Sequence, residues 1–326
     1  MAGVSVATVS RVINNKALVT REKLERVEAV LARVNYIPNN SARALVKRRT
    51  MSAGLIVPTL SNPIFAPTIA GVETVLAGAG YGLLLACSDR DPIKEFGHAC
   101  TMIERGVDGL ILTGSYRHPH LLELIASRGA IAVSQDDPVG APGMTSIRMP
   151  DARAMACAID ALVERGHRRI GIVTGPTINT AAIAERVRGA IERLDSHGLV
   201  RTPGDVVETM GYFDEDARAA TQHLLTSSPD VTAIACTGDI LAIGVISQCG
   251  RSGRNVPGDI SVIGCGQTVM AQFADPVLST VRLPFEQMGA RAASELVRQI
   301  NGEASRDLAE LPYEFVPGAT LAAPAR

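Results

Sequence analysis

The chain has no tryptophan, and phenylalanine and tyrosine bring aromatics to only 3% of its 326 residues. A core without large rings must be filled by Leu, Ile, Val and Ala. The 46% of hydrophobic residues supplies enough of them for roughly two domains of about 150 residues. None of the six cysteines (Cys87, Cys100, Cys157, Cys236, Cys249, Cys265) forms a CxxC pair, and most lie in apolar runs, where a free thiol packs as a small hydrophobe. This excludes a disulfide scaffold and predicts reduced thiols in a cytoplasmic protein. No apolar run reaches the ~18 residues of a membrane span. Met1–Val12 carries polar residues at every second or third position, unlike a signal peptide.

Enzyme signatures are missing as well. GxxxxGK[ST], GxSxG and HExxH do not occur. Gly78-Ala79-Gly80-Tyr81-Gly82 follows a helical pattern and precedes a strand pattern, the reverse of a phosphate-binding turn, and Gly264-Cys265-Gly266 lacks a third glycine. His118-Pro119-His120 and Asp89-Arg90-Asp91 could be imagined as metal ligands, but solvated loop pairs are the commoner outcome. The sequence therefore predicts no catalytic residue, no metal and no cofactor.

What is there is unevenly distributed. The net charge is −1, yet residues 1–50 hold ten Lys/Arg against three Glu, so a basic head precedes an acidic body. Such a head suits a polyanion. After residue 52, apolar runs of strand length recur: Ala53–Val57, Gly82–Cys87, Gly109–Leu112, Ala130–Ser134, Ile170–Thr174, Thr232–Cys236 and Ile260–Gly264. Segments with helical spacing lie between most of them. Runs without alternation predict strands buried on both faces, and the intervening helices predict parallel connections, hence an α/β fold. Ten or twelve strands exceed one such sheet, so two similar lobes are expected, breaking near Arg148–Asp151. The cleft between them is the default small-molecule site.

In the head, Ser5–Asn14 reads as a short helix capped by Ser5. Thr20–Val34 reads as a second, capped by Thr20, with Leu24, Val27, Val30, Leu31 and Val34 as its apolar stripe. Ser41–Lys47 could form a third, too short to be stable alone. Ala2–Asn15 has the spacing of the turn and second helix of a helix-turn-helix: Gly3 suits a left-handed turn, while Val4, Val9 and Ile13 face inward. On spacing alone, an ordinary surface helix with a serine cap is an alternative.

The motifs AGVSVATVSRVINN, NYIPNNSARAL and GLIVPTLSNPIF resemble those of the LacI/GalR family of bacterial transcription regulators. The likeness continues through VDGLIL, ERGHRRIGIVTGP, AERVRGAIERL, TAIACTGDILAIGVI, VPGDISVIG and LSTVRLPFEQMG, in the family's order over nearly the whole chain. The resemblance implies a small all-α helix-turn-helix head (1–38), a hinge helix and linker (39–52), and a two-lobed periplasmic-binding-protein-like core of two doubly wound parallel sheets (53–326). Lobe 1 would take about 53–149 plus 283–302, and lobe 2 about 150–282 plus 303–326.

It further implies a repressor, dimeric and able to pair into tetramers, whose affinity for double-stranded operator DNA responds to a small effector, with no membrane role. Val6, Ala7 and Arg11 match the family's base readers, and Ser5, Thr8, Ser10 and Asn14 its backbone contacts. Tyr36, Asn39 and Ala42 match further DNA contacts, and Leu45 the leucine wedged into the minor groove. Ile64, Phe65, Asp89, Ser115, Arg186, Phe213, Asp239 and Gln267 match effector-cleft positions, although Phe65 and Phe213 could simply pack.

Two departures shape these expectations. The family's first helix has no counterpart before Ala2-Gly3, which suggests that the true start lies upstream of Met1. The alternative is a small-molecule-binding protein without competent DNA binding. In the cleft, Cys265-Gly266-Gln267 stands where the family has an aspartate pair, and Pro150-Asp151 replaces its Asp-Asn. Losing a carboxylate weakens the case for a plain hexose and favours a sugar acid.

Overall fold

The structure, a computed structural model, describes residues 2–14, 19–34, 49–212, 214–306 and 310–325. The chain divides into two units, Met1–Thr50 and Met51–Arg326.

In the first unit, α1 (Val6–Asn14) and α2 (Arg21–Arg33) pack together, with Val12 and Val27 fully buried. Val12 was not among the inward positions expected from spacing. Ser5 precedes α1 as a cap, its Oγ accepting from the Thr8 amide at 3.2 Å. Thr20 holds the N-cap position of α2 with extended backbone, but its side chain makes no capping bond, and Val34, expected in the apolar stripe, is 48% exposed. Gly3 adopts φ +61°, the left-handed conformation that favours glycine. Residues 39–48 of the hinge segment, including the expected helix at Ser41–Lys47, lie outside the described residues.

The second unit is α/β throughout. Its first sheet has the order β2-β1-β3-β4-β5, all parallel, from β1 (Ser52–Val57), β2 (Gly82–Cys87), β3 (Gly109–Thr113), β4 (Ala132–Gln135) and β5 (Thr145–Ile147). The connecting helices are α3 (Phe65–Gly78), α4 (Pro92–Glu104) and α5 (His120–Arg128). Leu55, Ile56, Leu110, Ile111 and Leu112 are fully buried, as runs without alternation require. β2 departs from that expectation, because it is an edge strand and Leu85 is 40% exposed.

The second sheet has the order β11-β10-β9-β8-β6-β7. Its strands are β6 (Ile170–Thr174), β7 (Val206–Glu208), β8 (Ala233–Cys236), β9 (Ser261–Gly266), β10 (Ser279–Arg282) and β11 (Glu314–Val316). All pair in parallel except β11, an antiparallel edge against β10. Helices α6 (Asp151–Val163), α7 (Ala181–Ser196), α8 (Asp214–Ser227), α9 (Asp239–Arg251) and the short α10 (Val269–Phe273) complete this lobe.

The chain passes between sheets after β5 and again after β10, where α11 (Phe285–Ile300) returns to pack on α3 and the first sheet. Two glycines make that return close. A Cβ on Gly71 would stand 2.1 Å from the Glu286 carbonyl, and one on Gly289 2.1 Å from the Thr68 carbonyl. Any side chain there would force the helices apart.

His167 ties the C-terminal segment to the second sheet. Nδ1 accepts from the Thr232 hydroxyl at 2.9 Å, and Nε2 donates to the Ala322 carbonyl at 2.9 Å with the Ser261 hydroxyl 3.0 Å away. The neutral ring satisfies this arrangement, and burial lowers its pKa from the ordinary 6.5. The unfolded chain therefore binds the proton more readily, so the stability owed to His167 is present above the ordinary histidine range and lost as pH falls below about 6.5. In thermal melts, His167→Gln should show a flatter loss of Tm on acidification than the parent chain. An identical pH profile for the two would contradict the assignment.

Candidate functional site

The C-terminal ends of the strands in both sheets open onto one cleft of about 910 Å³, its open mouth included. Strand ends are where an open α/β sheet exposes backbone donors and loop side chains to a ligand. Ile64, Phe65, Arg186 and Asp239, all expected from the sequence, line it.

Arg186 sits in the second turn of α7 and is 2% exposed. Its Nε donates to Asp151 Oδ1 at 2.7 Å and its Nη1 to the Thr237 carbonyl at 2.8 Å. The approach depends on Gly189, one turn further along α7, where a Cβ would meet the Ala152 carbonyl at 2.1 Å. Asp151, noted in the sequence only as a departure, is thus the counter-charge of the principal cation. Its negative charge holds Arg186 well above the usual arginine range despite burial.

Asp239 lines the cleft but its carboxylate is already committed. Oδ2 accepts from the Thr268 amide at 2.5 Å and Oδ1 from the Thr280 hydroxyl at 2.6 Å. Gly264 makes room for it, since a Cβ there would lie 2.5 Å from Oδ1. The side chain ties α9 to the loops after β9 and into β10.

Three expected residues are held elsewhere. Asp89 pairs with Lys94 at 2.8 Å and its side chain is 60% exposed. Ser115 donates to Asp137, and Gln267 accepts from Arg282. None of the three lines the cleft. Phe213 lies outside the described residues.

Several cleft residues were not read from the sequence. Asp136 follows β4 with φ +52°, and its Oδ1 is buried without a hydrogen-bond partner. Burial raises its pKa, the nearby Asp151 adds to the rise, and Arg186 and Arg90 oppose it. Arg90, at φ +59°, lies over the Tyr212 ring at 4.7 Å from the centroid. That contact joins the loop after β2 to the loop before α8 and so crosses the cleft. Tyr212 is seated on Gly175, where a Cβ would come within 2.4 Å of the ring. The available signal was position: Asp136 and Arg90 each stand just past the C-terminal end of a strand.

In the head, Ser5 before α1 and Val6, Ala7, Ser10 and Arg11 on it are exposed, Val6 by 85%, and Thr8 is half-buried. The Ser5 and Thr8 hydroxyls lie 3.0 Å apart. The Asn14 side chain and all of Tyr36, Asn39, Ala42 and Leu45 lie outside the described residues. Among the described residues no helix is long and apolar enough to cross a membrane.

Residues 1–39 match the family of bacterial regulatory proteins named lacI, and residues 159–321 match a periplasmic binding protein-like domain. The chain is 31% identical to the ribose operon repressor of Bacillus subtilis over 97% of its own length and 94% of the relative's. It is 32% identical to the repressor PurR of Pasteurella multocida, covering 97% and 95%. Among solved structures, the transcriptional regulator CelR–cellobiose complex superposes with a TM-score of 0.77 at 28% identity, covering 98% and 97%. The lac repressor dimer bound to operator and an anti-inducer gives 0.89 at 23% identity, covering 99% and 97%, a likeness of fold.

The Arg186–Asp151 pair generates a prediction of its own. Removing one partner of a buried pair strands a charge and typically costs about 3–5 kcal/mol, whereas removing both costs less. Asp151→Asn should lower stability to urea by about that amount, and Asp151→Asn with Arg186→Met should recover part of it. Losses that simply add would exclude mutual compensation.

Proposed function

The chain belongs to the lacI family of bacterial regulatory proteins, and from that premise we propose a repressor that grips operator DNA through its head and answers to a sugar or related metabolite held in the cleft. The observation that carries this reading is the cleft itself, with a cation (Arg186), an unpartnered carboxylate oxygen (Asp136) and an aromatic ring (Phe65) on one cavity. Such a set can hold hydroxyls by hydrogen bonds and an apolar sugar face by stacking. The relatives point the same way by name: one is a ribose operon repressor, and one solved regulator holds cellobiose.

A homodimer places two heads on two half-sites of a near-palindromic operator. Exposed apolar side chains on α10, Val269 (59%) and Phe273 (76%), and the open edge of β2 are surfaces that a second copy of this chain would cover. Ser5, Val6, Ala7, Thr8, Ser10, Arg11 and Asn14 of the α1 region read one half-site, small hydroxyls serving phosphates and Arg11 a guanine edge or phosphate. Tyr36, Asn39 and Ala42 add contacts, and Leu45 unstacks a base step in the minor groove. The cytoplasm, where the chromosome lies, is the place for this work, and no catalytic step is assigned.

The sequence argument for a sugar acid rested on a missing carboxylate after β9. Asp136 puts a carboxylate into the cleft from another strand, so a sugar-like polyol without an acidic group is the reading we favour over an acid.

The test is a gel shift of the full chain on promoter fragments, with and without a metabolite panel. One half-site pair should be preferred over random duplex, and one sugar should change that preference. Leu45→Ala should weaken specific binding by about tenfold or more while leaving random-duplex binding within about twofold. Equal losses on both DNAs would remove the wedge from the mechanism.

A further inference from the structure

Glu95 stands in the first turn of α4, 4% exposed, on the wall of the cleft. Its Oε1 accepts from Arg117 Nη1 at 2.9 Å, while its Oε2 is buried with no partner. Arg117 Nη2 is held by the Gly114 carbonyl at 2.5 Å and by Asp137 Oδ2 at 3.4 Å. Asp137 also accepts from the Gly140 amide at 2.8 Å and from the Ser115 hydroxyl. Two carboxylates thus share one guanidinium, which leaves the cluster one negative charge in excess when both are ionised. The oxygen left over belongs to the one charged member that lines the cleft.

We propose that Glu95 reads the effector, its Oε2 accepting a hydrogen bond from a cationic N–H group, a protonated amine carried on a sugar-like ring, with Arg117 as the positioning residue. This rests on the cleft being the effector site. A buried acceptor without a donor is costly, and a ligand entering the cleft can supply the missing donor. A hydroxyl would complete the bond but leave the excess charge. An ammonium does both, and a charge-assisted bond is roughly twice as strong as a neutral one. An anionic group would face repulsion unless a proton came first.

The charged neighbours are Arg117 from the loop after β3, Asp137 from the loop after β4, and Asp91, whose Oδ1 is occupied by the Ile93 and Lys94 amides at 2.8 and 3.4 Å. Burial pushes Glu95 up to about 7, Arg117 pulling against it and Asp137 adding to it. Near neutrality the carboxyl is balanced between two forms, and an arriving cation selects the ionised one.

Calorimetric titration of the full chain near neutral pH with D-glucosamine, D-glucose and D-glucuronate tests this. The parent chain should bind the amino sugar about tenfold more tightly than glucose. Glu95→Gln, of the same shape and still able to meet Arg117, should lose that preference, the amino sugar and glucose then binding within about threefold of each other. Arg117→Lys, which keeps the charge but not the planar fork, should reduce the preference without abolishing glucose binding. Tightest binding of glucuronate, no binding of glucosamine, or a preference that survives in Glu95→Gln would each overturn the proposal. The cleft reading falls separately, if no metabolite alters the gel shift.

Discussion

A guanidinium sealed at 2% exposure organises the cleft. Burying that charge would be strongly destabilising without Asp151 on one side of Arg186 and a backbone carbonyl, that of Thr237, on the other. Each partner comes from a different element, the start of α6 and the end of β8, so satisfying one cation sets the spacing of three elements. The helix approach that brings Asp151 within reach depends on the missing side chain at Gly189. Asp239 does similar work across the sheet, with both oxygens committed to Thr268 and Thr280. The cleft keeps its shape through polar groups that have little bonding capacity to spare.

Against that fixed frame, the spare capacity stands out. Among the described residues lining the cleft, the buried carboxylate oxygens without a partner are Glu95 Oε2 and Asp136 Oδ1, both on the first lobe. Unmade bonds of this kind cost about 1–3 kcal/mol each. They are tolerable where a ligand makes them part of the time, and burial raising both carboxyls is the expected sign of that tension.

How much of this was legible in the sequence varies with how local the cause is. The buried strands were legible because Leu55–Val57 and Leu110–Leu112 are unbroken apolar runs, and their parallel connection followed from the helices between them. β2 misled because Gly82–Cys87 has the same composition as a central strand. Nothing in a six-residue run says that it will lie at an edge. In the site, Arg186 was found through a family motif, but its partner Asp151 was noticed only as a mismatch. The adjacent Asp136 and Asp137 show the limit most clearly. One, at a positive φ, lines the cleft and the other is buried among Ser115, Arg117 and Gly140. Asp89, Ser115 and Gln267 stand off the cleft wall for a related reason, since each bonds a partner, Lys94, Asp137 or Arg282, that family position does not announce.

The distribution of free groups bears on how such a cleft could signal. A ligand shifts an equilibrium between two arrangements only by its difference in affinity for them. Contacts confined to one lobe are the same whether the lobes are open or closed and contribute nothing to that difference. Asp136 and Glu95 on the first lobe therefore matter only in combination with Arg186 and the second-lobe loops. The Arg90–Tyr212 contact already spans the two, and an exposed cation–π pair is worth about 0.5–1 kcal/mol, desolvated ones about 2. A coupling of about 1–3 kcal/mol is all that a 5–150-fold change at a distant site requires. A ligand that bridges the first-lobe carboxylates to the second-lobe wall, and either keeps or displaces Arg90 from Tyr212, acts on an energy of that size. The sign of the response then depends on which of those two it does, a property of the ligand's shape as much as of the protein.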